Sequence, residues 1–326
     1  MKHLFDPERY DTTPLETAGF YGKSWLLYHY LIFSEERSGQ IDKYSALLAV
    51  GTPMPDAALA AFGDFEDLER NLERYSRQRQ LGSLRLPPEL VPPGPVAIRT
   101  LSEAEAAIMP VRIRSKVGVD AEIAARTLLD ARAVAQRYPD SAFVLSALAE
   151  AEYDAGNDRE AIAAADKAIA IDPTRTNAYV QKGYALFRQA EEADDYAAAL
   201  AAAREPFLAL NRIDNNHALP LIYFYRSFRL AGLNPPEVAL DGLDMAVQLA
   251  PFDHSLRIEY AAELLLEGDA AYARRILQPA AYSPHGGAAA ELAQSWLDQL
   301  DAGTAPELIP GTNLDRLPED EAAESL

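Results

Sequence analysis

The stretch SAFVLSALAEAEYDAGNDREAIAAADKAIAIDP, residues 141–173, decides the fold. Two alanine-rich runs flank Gly156 and Asn157, and Pro173 closes the second. Alanine is the best helix former, Gly-Asn is turn chemistry and proline does not continue a helix, so the stretch reads as a helical hairpin. The hairpin recurs. Pro139 and Pro173 lie 34 residues apart, Pro173 and Pro251 lie 78 apart, which is two such periods plus ten, and Pro251 and Pro284 lie 33 apart. A period near 34 predicts stacked hairpins, each burying its apolar face on the next. The ten extra residues are expected within 176–216, around QAEEADDY or LNRIDNN.

Small residues recur inside this frame. Ala149, Ala161 and Ala168 precede Pro173; Gly183 takes the place of Ala149 in the next hairpin; Ser227, Ala239 and Ala246 precede Pro251; Ala261 and Ala273 continue the series. Helices that cross closely need positions without side-chain bulk. On these residues the chain from 120 to 300 resembles the tetratricopeptide repeat family. The resemblance implies an all-α solenoid with hairpins at about 140–173, 174–217, 218–251 and 252–285. Helix 121–137 precedes them as a half repeat, and AAAELAQSWLDQL, within 286–300, follows as a capping helix. The sequence departs from the family at Ala165 and Leu243, where the second helix normally offers an aromatic or bulky residue.

In stacked hairpins of this kind the first helices line a groove, facing inward at their second, fifth, ninth and twelfth residues. Counted from the prolines, those places hold Phe143 and Tyr153 in the first hairpin, Asn177, Tyr184 and Phe187 in the second, Phe224 and Phe228 in the third, and Ile258 in the fourth. Arg188 stands beside them at the rim. Aromatic and apolar lining suits a partner protein or peptide, because such side chains give large contact area at low entropic cost. The lysine and asparagine pattern with which some family members clamp a terminal carboxylate is missing.

Upstream, helices are expected at 16–36, 41–50, 55–62 and 65–79, the last capped by Asp64 with Arg77 and Arg79 complementing its dipole. Residues 1–86 thus read as a small helical unit. LPPELVPPGP, residues 86–95, removes backbone donors and opens a linker over 87–119. Within the linker, VAIRTL at 96–101 and VRIRS at 111–115 alternate as half-buried strands do, predicting at most a two-stranded element. Ser102 followed by Glu105 starts a short helix between them with a capping box.

Phe20, Tyr21, Ser24-Trp25, His29-Tyr30-Leu31, Tyr44 and Ala61-Phe62-Gly63 give residues 19–75 a second likeness. The stretch resembles the C-terminal part of a gluzincin-like bacterial metallopeptidase domain, the peptidase MA-like kind that often precedes tetratricopeptide repeats. In that family the HExxH zinc helix lies further upstream, so the resemblance implies a scaffold without its catalytic parts. An alternative function is therefore the C-terminal portion of a zinc metallopeptidase whose catalytic segment precedes Met1.

Composition narrows the classes. Thirty basic against 50 acidic residues give a net charge of −20, which repels nucleic acid phosphates and anionic lipid. With no cysteine, thiol chemistry and thiolate metal sites are excluded. The nine-residue apolar run WLLYHYLIF, residues 25–33, suits a buried helix and is far below a membrane span. With no apolar leader after Lys2, the chain as it stands is expected to be soluble and cytoplasmic, or periplasmic if an export signal lies upstream. No catalytic, metal or cofactor site is expected. His3, His29, His217, His254 and His285 show no i,i+3 or i,i+4 pair, and Gly22-Lys23-Ser24 lacks the earlier glycine of a phosphate loop because Thr17 stands there. Residues 301–326 read as a solvated acidic tail.

Overall fold

The computed structural model describes residues 4–5, 14–50, 52–92, 94–283 and 286–306, and for 14–18 and Pro88 the backbone alone. His3, Pro284, His285 and the tail from 307 lie outside the described residues. Fifteen α-helices occur among them. They are α1 (Pro14–Phe33), α2 (Gln40–Ala49), α3 (Met54–Phe62), α4 (Phe65–Ser76), α5 (Glu103–Val117), α6 (Ala121–Arg137), α7 (Ala142–Asp154) and α8 (Asp158–Ile171). The series continues with α9 (Thr176–Ala190), α10 (Tyr196–Ile213), α11 (Ala218–Leu230), α12 (Glu237–Leu249), α13 (His254–Leu266), α14 (Ala270–Ala281) and α15 (Ala288–Asp301). There is no strand among the described residues, so the fold is an all-α solenoid.

The described residues divide into two units, one from 96 to 253 and one combining those of 1–95 with those of 254–306. In the first, hairpins α5/α6, α7/α8, α9/α10 and α11/α12 follow one another. Asp120, Ser141 and Asp195 cap the starts of α6, α7 and α10 by accepting the N–H of Ile123, Val144 and Ala198. Within hairpin α7/α8 the turn is a Schellman motif: the Gly156 N–H donates to the Tyr153 carbonyl at 2.9 Å and the Asn157 N–H to the Glu152 carbonyl at 2.8 Å. Gly156 holds φ 82°, where any other residue is strained. Gly232 and Gly268 close α11 and α13 the same way.

The small residues read from the sequence are all buried. Ala149, Ala161, Ala168, Ser227, Ala239, Ala246, Ala261 and Ala273 are 0% exposed. Gly183 shows why bulk is excluded. A Cβ there would lie 2.4 Å from the ring of Phe207, itself fully buried between α9 and α10 with Phe187, Leu200 and Ala203. The extra length of this hairpin is spread out: α9 and α10 run 15 and 18 residues where α7 and α8 run 13 and 14, and the turn 191–195 has no glycine.

The expected strand at 111–115 is instead the second half of α5, which runs through Pro110. Ile108 and Val111, three apart, are buried against α6 and α7, while Ile113 is 59% exposed. Burial at helical spacing outweighs the alternation that suggested a strand. Residues 96–100 form no regular structure, and the Ser102–Glu105 capping box is present, with Arg99 holding the Glu105 carboxylate at 2.7 and 2.8 Å.

In the other unit, α1, α3 and α4 share a core of Leu27, Leu31, Ala58, Phe62, Leu68 and Tyr75. The Asp64 cap is present, accepting from the N–H groups of Glu66 and Asp67 at 3.0 Å. His29 is occupied at both nitrogens: Nε2 lies 2.9 Å from the Gly82 carbonyl, which only accepts, and Nδ1 lies 2.8 Å from the Tyr75 hydroxyl. In the neutral ring Nε2 therefore carries the proton and Nδ1 accepts, leaving no lone pair for a metal. Helices α13, α14 and α15 pack on one another.

Candidate functional site

A cleft of about 320 Å³ opens in the unit of residues 96–253. Its wall comes from the end of α5 (Lys116), one face of α7 (Glu150, Tyr153, Asp154), the first turns of α9 (Thr176, Asn177, Val180, Gln181, Tyr184) and the start of α11 (His217, Leu219). These are the first helices of successive hairpins. Residues four apart on a helix share a face, which is why Glu150 and Asp154 point the same way and Asn177 and Gln181 do too.

Polar side chains tie the wall together. Glu150, only 5% exposed, takes the Lys116 ammonium at 2.5 Å and the Asn177 amide at 3.1 Å. Asn177 also donates to the Ser146 hydroxyl at 3.3 Å and accepts from the Gln181 amide at 3.4 Å. Asp154 closes no ion pair among the described residues. Burial, then the like charge of Glu150, pushes its carboxyl up to about 6, with the Ser115 hydroxyl, Lys116 and Arg188 pulling the other way. The Tyr153 and Tyr184 rings lie 5.6 Å apart, and burial raises the Tyr153 hydroxyl above its ordinary value.

Of the nine residues singled out in the sequence, Tyr153, Asn177 and Tyr184 line this cleft. Arg188 lies over the Tyr153 ring at 4.0 Å, forks onto Asp158 and donates to the Tyr153 carbonyl at 2.7 Å, so it fixes the cleft wall from behind. Phe143 is half-buried under the guanidiniums of Arg112 and Arg175 at 4.6 and 5.4 Å. Phe187 is buried among Leu200, Ala203 and Phe207. Phe224 and Phe228 pack edge to face at 5.3 Å, with Arg204 of α10 4.0 Å above Phe228, away from the cleft wall. Ile258 is 0% exposed and offers no surface to a partner.

Sequence reasoning missed Lys116, Asp154, Thr176, Gln181, His217 and Leu219 as cleft residues. Lys116 was hidden because the second half of α5 was read as a strand and the helix from Ser102 was expected to be short. Leu219 was hidden because α11 begins at Ala218, two residues before the start counted from Pro251, since its connection to α12 spans six residues, 231–236. Counted from the true helix start, Leu219 holds the second place that Asn177 holds in α9.

Among the described residues, no group of three or more histidine, aspartate or glutamate side chains is placed to hold a metal ion. No described helix is long and apolar enough to cross a membrane. No family model matches the chain. No curated protein matches it in sequence. A solved structure of a thermophilic TPR protein from Thermus thermophilus is similar at 17% identity and a TM-score of 0.45, covering 61% of this chain and 96% of that one. At that depth the likeness bears on neither partner nor chemistry. The resemblance of residues 19–75 to a peptidase MA-like domain rests on its quoted residues alone.

Proposed function

We propose that the chain is a protein-interaction module that holds a segment of a partner protein or peptide in the cleft formed by α5, α7, α9 and the start of α11. The observation that carries this reading is the composition of the wall: two neighbouring tyrosine rings, Tyr153 and Tyr184, beside amide and carboxylate groups on successive first helices. Such a wall gives aromatic contact area together with hydrogen-bonding groups that fix orientation. Its volume lies near the lower end of ligand sites, matching one anchored side chain of a longer segment. The net charge of −20 argues for protein over nucleic acid as the partner.

The test is panning of a phage-displayed library of random dodecapeptides on the immobilised full chain, followed by titration of the selected peptides. Thr176 stands at the start of α9 on the cleft wall, half-buried and outside the buried core, so Thr176→Trp is expected to occupy the cleft. Selected peptides are expected to lose binding to Thr176→Trp and to keep it with Phe224→Ala plus Phe228→Ala. The opposite pattern would move the site to α11, and a library that yields no binders overturns the reading.

A further inference from the structure

The one buried side-chain atom of the cleft lining without a hydrogen-bond partner among the described residues is an acceptor. Gln181 is 5% exposed, and with its amide N–H directed to Asn177, its carbonyl oxygen Oε1 is buried on the cleft wall without a donor. A buried acceptor left unpaired is costly, so its presence at a wall points to a donor brought by something else. Asp154, one turn beyond Glu150, is the second acceptor: the Ser115 hydroxyl lies beside it, and a carboxylate with several acceptor sites keeps capacity for further donors. The cations nearest to it are already engaged, Lys116 with Glu150 and Arg188 with Asp158. The Asn177 amide serves Glu150 and Ser146, and the His217 ring nitrogen Nδ1 accepts the Leu219 N–H at 3.4 Å, so neither supplies the Gln181 carbonyl. Glu150 and Lys116 balance, as do Asp158 and Arg188, which leaves the cleft with the one negative charge of Asp154.

We propose that the cleft recognises a cationic side chain, the ammonium of lysine or the guanidinium of arginine, carried on an extended peptide segment. Its N–H groups meet the Asp154 carboxylate and the Gln181 carbonyl, and its aliphatic stem lies along Tyr184, Val180 and Leu219. A cation also gains from the tyrosine faces that line the site. This rests on the peptide-holding reading above and adds the chemistry of the anchor. Charge complementarity extends beyond the cleft, since a chain with 50 acidic and 30 basic residues draws basic segments toward it.

The experiment is a nuclear magnetic resonance titration of the full chain at low salt with Nα-acetyl-lysine amide and Nα-acetyl-arginine amide. Nα-acetyl-norleucine amide serves as the neutral isostere, and the readouts are the Gln181 side-chain amide and the backbone amides of 176–184. Saturable shifts are expected with both cations. Binding should be roughly tenfold weaker for norleucine and for lysine against Asp154→Asn, as loss of a charge-assisted hydrogen bond implies. Equal response to norleucine, unchanged lysine affinity in Asp154→Asn, or no saturable shift overturns the proposal. The norleucine comparison uses the unaltered chain and is independent of how the variant folds. If selected peptides bind the unaltered chain and lose binding to Thr176→Trp while the cationic fragments fail here, only the cationic specificity falls.

Discussion

Gly183→Ala should destabilise hairpin α9/α10, and Gly242→Ala should stabilise hairpin α11/α12. Both glycines lie inside helices, α9 and α12, without positive φ, so the helix-propensity gain of replacing glycine is about 1 kcal/mol for each. The packing terms differ. At Gly242 the new methyl meets Leu221 at 3.7 Å, an ordinary contact. At Gly183 it falls 2.4 Å from two ring atoms of Phe207 and 3.0 Å from a third. Reaching ordinary separation needs a shift of about 1 Å by a ring that is 0% exposed, stacks on Tyr223 at 4.7 Å and abuts Phe187 edge-on at 5.8 Å. Overpacking of this kind costs roughly 1–3 kcal/mol and more where the neighbours are rigid. The expected net effects are a loss of about 1–2 kcal/mol for Gly183→Ala and a gain of up to about 1 kcal/mol for Gly242→Ala. Urea unfolding followed by circular dichroism at 222 nm reads both. If Gly183→Ala is as stable as Gly242→Ala, the close crossing of α9 and α10 is wrong.

Other outcomes follow from single groups. Asp154 has its carboxyl raised from 3.8 to about 6, so the folded chain holds that proton more tightly than the unfolded one, and stability falls as pH rises through that window. In a dry site this would correspond to ~3 kcal/mol, and solvent screening of a half-buried group reduces it to about 1 kcal/mol. Asp154→Asn should therefore stabilise by about 1 kcal/mol at pH 7.5 and by nothing near pH 4, measured by thermal unfolding at both values. Ser102→Ala removes the capping box of α5 and should cost about 1 kcal/mol in the same assay. Gly156→Ala forces a side chain into φ 82° and should cost roughly 1–2 kcal/mol, with hydrogen exchange rising first at the end of α7 and the start of α8.

The hairpins were legible because their spacing is steric. A position where two helices cross at contact distance admits alanine, serine or glycine and little else, so Ala149, Gly183 and Ser227 mark the crossings directly. The Asp64 and Ser102 caps were legible for a similar reason, since capping requires a short polar side chain next to an acidic first turn. Helix α5 was obscured because VRIRS satisfies two periodicities at once, and only the burial of Ile108 with Val111 against α6 and α7 selects between them. The cleft was half legible. Tyr153, Asn177 and Tyr184 follow from the repeat register, whereas Leu219 depends on a connection length that shifts the register by two residues. Gln181 and Asp154 depend on hydrogen-bond accounting that no pattern of residue types contains. Phe224, Phe228 and Ile258 look like binding residues by type, yet the first two pack with Arg204 beside them and the third has no exposed surface.

The central claim is that the cleft between α7 and α9 grips a basic anchor of a peptide, and fluorescence anisotropy of one selected, labelled peptide tests it most directly. Titrated with the unaltered chain, Thr176→Trp and Asp154→Asn, the peptide should lose roughly tenfold or more in affinity with each variant. Replacement of its lysine or arginine by norleucine should produce the same loss on the unaltered chain. Affinity unchanged by Thr176→Trp, or by the norleucine replacement, would contradict the account.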